Sequence, residues 1–423
     1  MNIKKLALLC LLLLTCGGGV HAAESYRTDI NPALLYFQGF ILSPDLSQAD
    51  RDYLYTGQVW KRDQPLPDKF GDLVMRYSQQ LRMVRQAAHS SVPCDWGIDM
   101  TSGPRTLLPH LARCKVVAQA ARLRAMWALQ QSRPEDARDD LLGAFALARN
   151  SARDSVLIGV LVQIAMENIL ASAIAENFGK FPAETLAELE RGVDGLPARG
   201  TVAGSISMED FSFVDWCVRE IKGFQSKFPG DEARIMQAIH DSFDFLDVQE
   251  EEQANRTKSD VWGKIVKASG GTSEGIIGLL LAEKPLYQQL AGIMALPPTE
   301  YHAQAKEFSA QIKNSTNPFV AISFPAFEKC RGREFTILSE LAMLRAGIEF
   351  KLHGGDAFNK VLDPMTQSPF GFERFVFEGV DRGFKVKASY AMNGYPEVLI
   401  FVEKEGPAFY VNGKKAGQAV STK

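Results

Sequence analysis

The sequence predicts a mainly α fold, stacked antiparallel helices with a small antiparallel β meander at the C-terminal end. Apolar residues recur at spacings of three and four through most of residues 31–353, which is the period of one buried helix face. Pro, Asn, Asp and Gly punctuate these stretches where helices start and stop. After Pro364 the pattern changes to short aromatic and β-branched runs separated by Gly, Pro or Asn, as strands joined by turns require. A hydrophobic content of 46 % is ample for a core, and 423 residues exceed what one core usually holds, so two domains or an elongated stack is expected. The division that follows is a leader over 1–22, a helical body over 23–320, and a long helix with a β tail over 321–423.

Lys4 and Lys5 precede an unbroken apolar stretch, Leu6–Leu14, and then come Thr15, Cys16, three glycines and Val20–Ala23. A short basic region, an apolar core too short to span a bilayer and a small-residue exit are the layout of a secretory signal peptide, with cleavage expected after Ala22. Leu13–Cys16 also resembles the lipobox of bacterial lipoproteins, which would make Cys16 an acylated N-terminus; Thr15 departs from it, because that pattern places Gly, Ala or Ser before the cysteine. The sequence therefore favours soluble export, to the periplasm or beyond, over a lipid anchor in the envelope. Loss of the leader removes two lysines and no acid, moving the formal charge from -3 to -5. Mild acidity without a concentrated basic face argues against a nucleic-acid partner. The longest later unbroken apolar run, Gly275–Ala282, has eight residues, short of the ~20 that a membrane span needs, so no transmembrane helix is expected in the mature chain.

Asn31 is placed to cap a helix that has Pro32 in its first position and Pro44 beyond its end. A second helix is expected over 47–59, and a third from Pro67 with Phe70, Leu73, Val74, Tyr77, Leu81 and Val84 on one stripe. Past a loop over 91–104, Leu107, Leu111, Cys114, Ala118, Ala121 and Ala125 share a face whose small residues let a neighbour approach closely. Pro134, with Glu135 and Asp136 behind it in the first turn, opens the next helix. Residues 154–178 are apolar nearly all round and should form the central, most buried helix. Further helices are expected over 183–196, 205–227, 231–252, near 261, and over 284–295 and 299–313, with Ala268–Glu274 as a loop. A helix over 325–353 stops at Gly354 and Gly355, and strands are expected at 372–377, 383–390, 397–403 and 408–411.

The stretch Arg105–Asn150, two helices with small residues at their crossing and a Pro-acidic turn between them, resembles a tetratricopeptide helical hairpin. No second copy appears at the ~34-residue period of such arrays, so the resemblance implies helical stacking and not an array. The long helix followed by Asp363-Pro364, Pro369–Phe372 and hairpin strands is similar to the soluble part of type II secretion pseudopilins. That likeness covers only the C-terminal part. It departs at the front, where pseudopilins carry a leader and one membrane helix and this chain carries a long helical body. Gly332 and Phe335–Leu341 echo their processing site, but Arg345, Glu349 and Lys351 interrupt the apolar segment that would have to follow. What the resemblance implies is a shared fold of the tail, without filament assembly. A helical body joined to such a tail resembles a class of exported bacterial helical proteins.

Four cysteines remain after cleavage, Cys94, Cys114, Cys217 and Cys330, and in an oxidising compartment they allow two disulfides in three connectivities. Cys94 with Cys114 is the favoured pair, since both flank the start of one helix; the alternative is that Cys114 is a small apolar residue on a buried face. Cys94, Asp95, His110 and Cys114 are also the densest set of metal-ligand types. Exported thiolates are more readily oxidised than metallated, and no metal is assigned. Asp95, Trp96 and Asp99 on the adjoining loop are candidates to face a ligand, unless Asp95 uses its carboxylate in an Asx turn. The acidic run from Asp241 to Glu252 lacks the glycine of a calcium loop and reads as a solvated helix face. No H-E-x-x-H, G-x-S-x-G, S-x-x-K, phosphate-loop or dinucleotide fingerprint is present, so no catalytic residue and no cofactor is assigned. Two readings of function follow. One is a protein- or peptide-interaction scaffold of the cell envelope; the other is an exported hydrolase whose residues converge from distant positions between the helical body and the tail.

Overall fold

The computed structural model describes residues 27–55, 64–154, 156–243, 261–324, 327–377, 379–392, 395–404, 410–411 and 414–415. The expected leader, its Ala22 cleavage site and Cys16 lie outside the described residues, as does most of the acidic run ending at Glu252. The chain is mainly helical, with a three-stranded antiparallel sheet near its C-terminal end.

Helix α1 (Pro32–Ile41) starts as its sequence dictates, with Asn31 Oδ1 accepting the Ala33 N–H at 3.1 Å and Pro32 in the first position. Ser47 caps α2 (Gln48–Tyr55) by accepting the Asp50 N–H at 3.1 Å. The single stripe expected from Pro67 is divided into α3 (Asp68–Met75) and α4 (Ser78–Ala88). At Arg76 and Tyr77 the backbone N–H groups reach carbonyls three residues back, at 3.3 and 3.1 Å, the tighter 3₁₀ spacing. That turn buries Tyr77, whose hydroxyl meets the Tyr55 hydroxyl at 2.7 Å. The expected hairpin is α5 (Pro109–Gln130) with α6 (Pro134–Ser151). Ser132 turns it at φ 56°, and the Arg133 and Ser132 N–H groups return to the Ala128 and Leu129 carbonyls at 2.9 and 3.1 Å, a Schellman stop. Leu107, expected on the buried face of α5, precedes the helix and is 83 % exposed; the rest of that face is buried.

Helix α7 (Leu157–Glu176) is the central one. By length and composition it could cross a membrane, which a search for unbroken apolar runs misses because Gln163, Glu167 and Asn168 interrupt it. In this fold 61 % of its most apolar window is buried, and its polar residues are tied to neighbours. Glu167, fully buried, meets Arg149 of α6 at 2.5 Å and Arg199 at 2.6 Å. Gln163 exchanges hydrogen bonds with Gly200 at 2.9 and 3.2 Å.

Next come α8 (Ala183–Asp194), α9 (Val202–Asp210), a π turn (Phe211–Asp215) and α10 (Trp216–Lys227). The helix expected over 205–227 thus starts three residues earlier, where Thr201 Oγ1 accepts the Gly204 N–H at 3.0 Å, and carries an inserted wide turn. α11 (Glu232–Ser242), α12 (Val261–Ala268), α13 (Ser273–Leu281), α14 (Lys284–Ala295), α15 (Pro298–Lys313) and α16 (Pro318–Ser323) follow. The loop before α13 has Gly270 and Gly271 at φ 67° and 73°, left-handed values that favour glycine.

Helix α17 (Phe327–His353) ends at Gly354, φ 83°, and a short α18 (Gly355–Phe358) leads to the sheet. Strands β1 (Gly371–Phe377), β2 (Val380–Met392) and β3 (Tyr395–Val402) pair antiparallel in that order. The run expected as a fourth strand, β4 (Tyr410–Val411), pairs instead with β5 (Lys414–Lys415) in a separate ribbon. Asp363, fully buried, fastens the approach to the sheet: its carboxylate accepts Ser339 Oγ, the Met365 N–H, and both the N–H and Oγ of Ser389, at 2.9–3.2 Å.

Buried side chains form two clusters. The first joins α1–α6, the C-terminal part of α7, α8 and the sheet; the second joins the start of α7 to α9–α16. α17 enters both, with Phe335 and Ile337 in the second and Leu344 and Ile348 in the first. Gly347 of α17 lies under the Phe401 ring, which stacks on Phe384 at 4.7 Å and meets Phe178 edge-on at 4.9 Å. A Cβ at 347 would run into that ring. Gly347→Ala is therefore expected to cost about 1–3 kcal/mol by overpacking in urea denaturation; an unchanged midpoint would show that the sheet does not seat on α17.

Candidate functional site

The loop after α4 holds the residues that the sequence nominates. Trp96 is 4 % exposed and lies in the core. Its ring stacks on His110 at 4.3 Å and on Tyr36 at 5.6 Å, and meets Phe37 edge-on at 5.5 Å. Its Nε1–H donates to the Asn150 carbonyl at 2.8 Å, and Asn150 Nδ2 donates to the Tyr36 hydroxyl at 3.0 Å. Asp95 and Asp99 remain exposed, and both carboxylates serve local backbone. Asp95 Oδ1 accepts the Gly97 N–H at 2.8 Å, an Asx turn. Asp99 Oδ1 accepts the Thr101 N–H at 2.9 Å and so caps the 3₁₀ helix Met100–Arg105; bonds from the Thr101 side chain and backbone hold its carboxyl below the usual range.

Cys94 and Cys114 are buried free thiols in the core. Burial lifts the Cys94 thiol to about 12, with Asp154 adding to the rise, and lifts Cys114 as well. Neither supplies a thiolate nucleophile near neutral pH. His110 joins them at 1 % exposure, and burial pushes its imidazole down to about 4. Its Nε2 stands 3.8 Å from the Asp154 carboxylate, too far for a hydrogen bond. Among the described residues no three His, Cys, Asp or Glu side chains converge as metal ligands.

The open site lies on another face of α5. A cleft of about 1240 Å³ runs between that helix and the α1–α2 segment. Its floor is a row along α5 at helical spacing, Ala112, Val116, Gln119, Leu123 and Met126, and its opposite wall is Phe37, Phe40, Ile41, Pro44, Leu46 and Leu54. The row spans about 21 Å of helix axis. Ile41 is 83 % exposed and Val116 43 %, so apolar surface reaches the rim. Among the described residues the lining cations are Arg51, Arg113, Lys115 and Arg122, against one carboxylate, Asp45. Arg122 is held by Glu176 at 3.0 Å, and Arg51 by the Leu46 carbonyl and Gln48. Arg113 and Lys115 stand exposed on α5 beside Val116. The hydroxyls of Tyr55 and Tyr77 close one end as a polar pair.

Comparisons with protein-family models, curated proteins and solved structures find no match for this chain. The geometry therefore carries the functional reading alone. The small-residue face of α5 expected from the sequence, the row through Cys114 and Ala121, is a different one from the row Ala112 to Met126. That second row has the same period, which by itself does not distinguish a cleft floor from a core row. An elongated apolar trough with cations on its rim is suited to an amphipathic, acidic guest.

Proposed function

We propose that the protein is an exported cell-envelope binding module that takes an acidic, amphipathic helical segment of a partner protein into the cleft between α1–α2 and α5. The observation that carries this reading is the cleft-lining row from Ala112 to Met126, exposed at Ala112 and Val116 and flanked there by the exposed cations Arg113 and Lys115. A helix laid along such a row buries anchors at three- and four-residue spacing. Facing charges of opposite sign then set its orientation and speed its approach. Export is supported by the leader pattern, Lys4 and Lys5 followed by Leu6–Leu14 and the exit at Ala22. A lipid on Cys16 would put the same module on a membrane surface, and the mass of the mature N-terminus separates the two.

The reading is tested by anisotropy titration of a labelled Leu/Glu amphipathic helical peptide against the full chain. Arg113→Glu with Lys115→Glu is expected to weaken binding by at least about tenfold, or ~1.4 kcal/mol, while thermal stability stays within ~0.5 kcal/mol, as for other surface changes. Wild-type affinity should fall with added salt. Equal binding of a Leu/Lys peptide, or indifference to the charge reversal, would refute the proposal.

A further inference from the structure

A group of acids lies away from the cleft, where the π turn meets α14. Asp210 precedes that turn and Asp215 ends it, and both face Lys284, with Nζ–O distances of 3.1 and 2.9 Å. Lys284 thus gives its ammonium to these two and not to Glu283, the residue before it. Glu283 is fully buried. Its Oε2 accepts Ser323 Oγ–H from the end of α16 at 3.3 Å, while its Oε1 and the Oδ1 of Asp210 have no partner among the described residues. The other titratable groups around it add no positive charge. Glu209 of α9 accepts the Leu157 N–H and is half-buried, Cys217 of α10 is a buried thiol, and Tyr287 lies one turn along α14 with its ring 4.7 Å from Phe324. An ionised carboxylate without a cation in such a place is strongly disfavoured.

We propose that Glu283 is a proton-operated joint, which when protonated lets the π turn, α14 and the end of α16 pack together and when ionised loosens this side of the second cluster. Burial lifts its carboxyl to about 8; the Ser323 hydrogen bond opposes the rise and the charge of Asp210 adds to it. An opened, solvated Glu283 has its ordinary value of 4.5. Between these two values the packed form keeps a proton that the opened form has lost. The packed form is therefore fully favoured below about 4.5, loses ground as pH rises, and ceases to change above about 8. The opening equilibrium should grow by up to about tenfold per pH unit within that window.

Hydrogen exchange of the full chain from pH 5 to 9, corrected for intrinsic base catalysis, tests this on peptides covering Glu209–Cys217 and Glu283–Leu290. In the wild type their protection should fall by close to tenfold per pH unit and then level near pH 8. Glu283→Gln, which keeps the size but cannot ionise, should lose most of that slope, while peptides from α5 and α6 keep the same pH profile in both proteins. Equal slopes in the two proteins overturn the proposal. Ser323→Ala provides an independent arm if the Gln variant does not fold. It removes a bond that favours the ionised form, so the levelling point must move to higher pH; a point that stays or moves down overturns the proposal too.

Discussion

Glu167→Ala is expected to destabilise the protein by about 3–5 kcal/mol, the cost of breaking a buried ion pair on one side. The Glu167 side chain is wholly enclosed, and its two partners, Arg149 and Arg199, are only 11 % and 12 % exposed. Deleting the carboxylate leaves two guanidinium groups together in a dry site, with the Pro197 carbonyl at 3.2 Å as one remaining acceptor for Arg149. Burial already pulls the Arg149 guanidinium below its ordinary value, with Glu167 opposing the fall and Arg199 adding to it. Glu167→Gln should lose less, because an amide oxygen can still accept one of these bonds. With folding free energies of about 5–15 kcal/mol, the Ala variant sits near the limit of folding. Urea denaturation followed by circular dichroism measures it; a loss below ~1 kcal/mol would mean that water reaches the triad and screens it.

Trp96→Ala should cost a similar ~3–5 kcal/mol, the range for truncating a buried large aromatic. The ring stacks on both His110 and Tyr36 and donates to the Asn150 carbonyl at the end of α6. Trp96→Phe keeps most of the stacking and loses the indole donor, for about 1 kcal/mol. The same denaturation experiment also decides what this loop is for. A tryptophan displayed to a ligand could be removed with less than ~0.5 kcal/mol of change, and that result would reopen Asp95, Trp96 and Asp99 as a binding loop.

Most helices were legible because each needs one buried stripe, and a stripe with a capping residue in front is a local signal. Asn31 before Pro32 and the glycines after His353 show this directly. The break at Arg76–Tyr77 was not legible, since slipping from i−4 to i−3 bonding leaves Phe70, Val74 and Leu81 on the same side. The π turn was hidden for a related reason, because one inserted residue shifts the phase of a pattern without changing its composition. The fourth strand failed because strand character is local while the choice of partner is not: Tyr410 finds Lys415 and not the edge of β3. The cleft was illegible in another way. Ala112, Val116, Leu123 and Met126 repeat like any core row, and only the tertiary arrangement buries Leu123 and Met126 while leaving Ala112 and Val116 exposed. Glu167 and Glu283 looked like ordinary helix acids, and their burial depends on Arg199 and on Ser323, both more than thirty residues away in sequence.

The passage of α7 and α17 through both clusters bears on how the molecule comes apart. Each is a rod with one half set in either cluster, so neither cluster can melt without baring the greasy flank that the same two rods present to the other. The halves consequently share one thermal fate, and a disturbance as remote as the seat of the sheet on Gly347 is felt at the far end through rigid helix, with no chain of contacts needed to relay it.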